Sequence, residues 1–184
     1  MSVSLSVLVY VAVVVLLIGV YLSWTANRLD RLHTRRDAAW AALDAQLVRR
    51  ASVSLDLAAS RLLDPAASIL LDDAAHTARE AAADSRDLAE TNLTRVLRDV
   101  FDDPKETLAL KERPGGSALL VELDAACRRV QLARHFYNDA VRVTWVLRRQ
   151  RLVRWFRLAG HAPFPQTFEM DDEEPLGLRG MAAA

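Results

Sequence analysis

The chain opens on an unbroken apolar run, "VSLSVLVYVAVVVLLIGVYL" from Val3 to Leu22, and no charged side chain appears before Arg28. As a helix rising 1.5 Å per residue, such a run covers roughly 30 Å, the thickness of a bilayer's hydrocarbon core. Tyr21 and Trp24 close the run, where amphipathic rings favour the headgroup level. The pattern predicts one transmembrane helix. A cleaved signal peptide would need a basic stretch before the run and a small-residue cleavage site after it, and neither is present. Arg28, Arg31, Arg35 and Arg36 follow the span closely. The positive-inside rule then places the short N-terminus outside and the C-terminal domain in the cytoplasm.

Past the span the pattern becomes helical and amphipathic. Leu29, Leu32, Trp40, Leu43, Leu47, Ala51, Ala58 and Leu62 fall on one face, and no Gly or Pro interrupts the chain between Val20 and Asp64. The membrane helix is therefore expected to continue without a joint until Pro65, which lacks an amide hydrogen, ends it. A second helix is expected from Ala66 to about Phe101, alanine-rich with a thin apolar side. Asp102, Asp103 and Pro104 make a break, and "KERPGGSA" reads as a loop. A third helix starts near the N-cap Ser117 and runs to about Arg157. Residues 1–27 thus form the tail and span, 28–168 the helical domain, and 169–184 an acidic, small-residue tail read as disordered beyond its start. The expected fold is all-α: the span, then an elongated antiparallel bundle of three helices with room for a short fourth element from the tail.

On the third helix, Leu119, Leu123, Ala126, Val130, Ala133, Tyr137, Val141 and Thr144 form a seam. A second stripe, Leu132, Phe136, Ala140, Val143 and Leu147, lies to one side of it. An arc this wide is covered either by two neighbours in the same chain or by one neighbour and another protein. The stretch "RHFYND" from Arg134 to Asp139 therefore distributes over three surfaces: Tyr137 faces the bundle, Phe136 the side stripe, and His135 with Asp139 faces water. Arg134 borders the seam, and Asp44 on the first helix is a candidate partner for it.

Composition narrows the chemistry. Lys and Arg together number 24 and Asp and Glu 24, so the whole chain lacks the basic excess that nucleic-acid binding requires. One cysteine, Cys127, excludes an intramolecular disulfide and reads as a small core residue. There is no Glu-x-x-His, no HExxH, no phosphate-binding glycine loop and no Gly-x-Ser-x-Gly elbow; Asp73 with His76 reads as a solvated pair. No catalytic residue, metal ligand, cofactor or small-molecule substrate is indicated. The one basic patch is Arg148, Arg149, Arg151, Arg154 and Arg157, with Leu152, Trp155 and Phe156 between. It pairs with the acidic run Asp171, Asp172, Glu173 and Glu174, stays a solvated face, or meets an external anion.

Two blocks, "NRLDRLHTRRDAAWAALDAQLVRR" after the span and "ARHFYNDAV" on the third helix, with the terminal "GHAPFPQTF", resemble the LemA proteins of bacteria. The sequence departs from that pattern at Thr144 and Trp145, where the family shows a Tyr-Asn pair. The resemblance implies an antiparallel helical bundle anchored in the bacterial plasma membrane, with no established catalytic activity. It also implies a structural network of Trp40, Asp44, Gln46 and Arg50 with Arg134, Tyr137, Asn138 and Asp139. The expected function is non-enzymatic: an integral, single-span protein that binds a protein partner or itself, through Leu132, Phe136, Val143 and Leu147 or through the basic end. The alternative is a regulatory or adaptor subunit of a membrane enzyme such as a peptidase.

Overall fold

A computed structural model describes residues 2–149 and 165–181, and every regular element among them is helical. Five α-helices follow one another: α1 (Ser2–Ala59), α2 (Pro65–Glu80), α3 (Arg86–Val100), α4 (Pro104–Lys111) and α5 (Gly116–Arg148). A three-residue 3₁₀ turn, Leu176–Leu178, comes last. As expected, α1 runs from the apolar segment into the amphipathic one without a break.

Pro65 does not end the first helix as expected, whereas the break expected around Pro104 is present, between α3 and α4. Pro65 and Pro104 stand in the first turn of α2 and α4, where a missing amide hydrogen is harmless and the fixed φ favours the helix. Each follows an aspartate cap: Asp64 accepts from the amides of Ala66 and Ala67, and Asp103 from that of Lys105. The first helix ends earlier, at Ala59, and Arg61 turns the chain with a positive φ of 61°. The second expected helix is not continuous. It breaks at residues 81–85 into α2 and α3, which pack against each other. Asp84 and Ser85 prefer turns to helix interiors, and folding back lets the thin alanine side of α2 find a partner. The short helix α4 fills the stretch between the expected break and the expected loop, and α5 begins inside that loop at Gly116.

The chain divides into two compact units. The first comprises Met1–Ala38 and Asp139–Gln166. Its segment of α1 carries the apolar run, whose described side chains from Val7 to Val20 are exposed throughout. Among the described residues α1 is the one helix long and apolar enough to cross a membrane, by length and composition. In its segment of α5, Val141 and Thr144 are fully buried, and the Trp145 Nε1 donates to the Pro165 carbonyl at 2.7 Å.

The second unit comprises Ala39–Asn138 and Thr167–Ala184. Leu43, Leu47 and Ala51 of α1 and Leu123, Ala126 and Val130 of α5 are buried, as their periodicity predicts. Leu71, Ala74, Ala75 and Ala78 of α2 join Leu93, Leu97 and Phe101 in the same core. The acidic tail overturns its expectation. Rather than standing in solvent, Thr167–Met181 lies against the helices, with Phe168, Met170, Leu178 and Met181 buried. These four apolar side chains, interleaved with the charges, supply the burial that the acidic composition concealed.

Candidate interaction surface

The residues expected to form one network do not all meet at one place. Arg50 is 2 % exposed, and its Nη2 meets the Glu90 Oε2 at 2.7 Å while Nη1 donates to Thr94 Oγ1 at 3.0 Å. Burial raises the Glu90 pKa, an effect that Arg50 opposes without cancelling. Asp44 pairs with Arg86 of α3 at 2.7 Å rather than with Arg134. Arg134 instead meets Asp172 at 2.8 Å, because the docked tail brings a carboxylate closer than α1 does. The Trp40 ring packs against Tyr137 and Phe168 at centroid distances of 5.2 and 5.7 Å. Asn138 clamps the Phe168 backbone in both directions: its Nδ2 donates to the carbonyl at 3.2 Å, and its Oδ1 accepts from the amide at 2.9 Å. Gln46 is half-buried on α1, and Asp139 is exposed, with Arg142 3.5 Å away.

Glu90, Thr94, Arg98, Thr91 and Gly177 were not singled out in the sequence. The first three lie four apart on α3, a polar line beside Leu93, Leu97 and Phe101, and that line was the available signal. Gly177 carried none, since its importance is the closeness of Thr107 and the Phe101 carbonyl.

The side stripe of α5 is largely uncovered. In the second unit Leu132 and Phe136 are 56 % and 57 % exposed, one turn apart. In the first unit Val143 is 47 % exposed while Ala140 is buried. Arg148 is buried and Arg149 exposed, its guanidinium 5.8 Å from the Trp145 ring. The Leu147 side chain, and Arg151, Arg154 and Arg157 entirely, lie outside the described residues. Within the second unit the acidic run meets three arginines: Asp171 and Glu173 meet Arg98, Asp172 meets Arg134, and Glu174 meets Arg128.

Among the described residues no group of His, Cys, Asp and Glu is placed to hold a metal ion. His76 Nδ1 lies 3.4 Å from the Asp72 carboxylate in solvent, one residue from the pair expected. Burial pushes the Cys127 thiol up to about 11, so it is a poor nucleophile. A cleft of about 430 Å³ opens beside Leu62, Val100 and Leu110, with Glu106 and Arg113 at its rim. Arg113 is spent there on the Leu62 carbonyl, 2.8 Å away, holding the turn after α1.

No protein-family model, curated protein or solved structure matches the chain.

Proposed function

We propose that the chain is a single-span membrane protein of the LemA kind, whose helical bundle works non-enzymatically by binding another protein or a second copy of itself. The observation that carries this reading is the pair Leu132 and Phe136, both more than half exposed on a helix that buries Leu123, Ala126, Val130 and Tyr137 of its seam. Covering the exposed half of each would contribute on the order of 1 kcal/mol apiece, a central anchor of the kind interfaces use. The uncharged run up to Leu22 supports the membrane anchor. The four arginines from Arg28 to Arg36 support a cytoplasmic bundle.

A photo-crosslinking residue at position 136, expressed at native level in intact bacteria, should yield a discrete adduct. A self-adduct identifies self-association, and a recurring foreign adduct identifies the partner; a membrane enzyme there would establish the adaptor reading. Absence of any adduct would sink the proposal. Alkaline extraction of the membranes checks the anchor, since an integral span keeps the chain in the pellet and a peripheral one releases it.

A further inference from the structure

The tail seated on the second unit is read by the helices much as a peptide is read by a receptor. Three side chains of α3 and α5 and one backbone carbonyl, at the end of α3, hold its backbone at four points. Asn138 engages Phe168; Thr91 Oγ1 accepts from the Asp171 amide at 3.2 Å; Gln131 donates to the Asp172 carbonyl; and the Phe101 carbonyl accepts from the Gly177 amide at 3.0 Å. Arg98 and Arg134 hold its carboxylates, and Leu178 is fully buried between these contacts. Gly177 acts as a key. A Cβ there would stand 2.2 Å from Thr107 Oγ1 and 2.8 Å from the Phe101 carbonyl, a backbone atom that cannot step aside.

Every one of these contacts is made by a group on a helix with a group on the tail. None distinguishes the chain's own tail from the identical tail of another copy, so effective concentration alone selects between them. The ion pairs that must open are partly exposed, with 41 % and 32 % of Arg98 and Asp171 accessible, and water replaces them at little loss. We propose that the groove between α3 and α5 is a self-association site that accepts the Thr167–Met181 strap of a second copy in exchange for its own. The inference rests on the self-association branch of the reading above, and names the segment exchanged. Crowding on one membrane would favour it, because two-dimensional confinement raises the concentration of the competing strap.

Complementation between two full-length variants tests the exchange. Gly177→Val keeps the groove but unseats its own strap. The double variant Arg98→Glu with Arg134→Glu keeps the strap but repels it from its own groove. Purified in detergent, each alone should be monomeric by light scattering, and their mixture should form a one-to-one dimer that weakens at least ~10-fold at 0.5 M salt. Two folded variants that remain separate on mixing would overturn the exchange. Should either variant fail to fold, the wild-type backbone carries the test. A photo-crosslinker at Leu176, which is 52 % exposed, is placed in an equal mixture of isotopically light and heavy chains. Light-to-heavy adducts that increase with concentration support exchange; only intrachain adducts at every concentration refute it. Both measurements use purified chain and leave Phe136 untouched, so their failure and failure of the Phe136 adduct in cells are separate results.

Discussion

Two kinds of ion pair hold the second unit together, and they differ in what happens when they open. Arg50 and Glu90 meet between α1 and α3 with only 2 % and 1 % of their side chains accessible. Arg134 and Asp172 join the strap to α5 with 24 % and 21 % accessible. Opening the first leaves a charge in the core, whereas opening the second returns two charges to water. The attraction inside the core is stronger per pair, yet desolvation consumes much of it. The dry pair therefore makes the association of α1 with α3 all-or-none, and the wet pairs make docking of the strap adjustable by salt.

The largest expected effect is at the dry pair. Arg50→Ala strands Glu90, and guanidinium denaturation should register a loss of about 3–5 kcal/mol. The double change Arg50→Met with Glu90→Leu removes both charges and should recover most of that loss, because apolar groups of similar volume suit the site. A double variant as unstable as the single would mean that the pair contributes specific geometry beyond charge balance.

The pH dependence of the same pair sharpens the contrast. The folded-state pKa of Glu90 lies above its ordinary value of 4.5, chiefly because burial disfavours the carboxylate. The folded state thus holds the proton more tightly than the unfolded chain. Its contribution to stability is fully present below pH 4.5 and diminishes as pH rises through the raised value. Glu90→Gln cannot titrate, so the stability of the wild type relative to this variant should decline with rising pH across that window. A gap that widens with pH would show that Arg50 outweighs desolvation.

Gly177→Ala comes next, since it disturbs the strap through shape and leaves every charge in place. The new Cβ meets the Phe101 carbonyl at 2.8 Å, so the turn at Leu176–Leu178 must lift away. Overpacking of this sort destabilises by about 1–3 kcal/mol. Hydrogen exchange should locate the change in residues 168–178, with α2 and α3 unaffected.

How much of this was legible follows from the range over which each signal acts. The buried stripes Leu43–Leu47–Ala51 and Leu123–Ala126–Val130 are local patterns, set by a 3.6-residue period, and could be read directly. The uncharged run before Arg28 was equally local. The break at residues 81–85 carries neither Gly nor Pro, and it depends on what the alanine side of α2 packs against. Docking of the strap depends on pairs such as Arg98 with Asp171, 73 residues apart, and composition had assigned that segment to solvent. Asp44 was expected to partner Arg134 and pairs with Arg86 instead, because helix register decides the partner and the local sequence does not show it. Pro65 was read as a stop signal when it is a start, and the preceding Asp64 was the local sign of that.

The smallest effect belongs to the wet pairs, and it is the one that tests the contrast most directly. Arg134→Ala removes a partly accessible partner of Asp172 while Gln131 still holds the Asp172 carbonyl and Asn138 still holds Phe168. The expected loss is at most about 1 kcal/mol at low salt. At 0.5 M salt the difference between variant and wild type should nearly vanish, because exposed charges are screened over roughly 4 Å. Arg142→Ala, whose pair with Asp139 is more than half exposed on both sides, serves as the reference and should lie within ~0.5 kcal/mol of the wild type at either salt concentration. If Arg134→Ala proved as costly as Arg50→Ala, or kept its full effect in high salt, the strap would belong to the core. A second copy would then find no groove to enter.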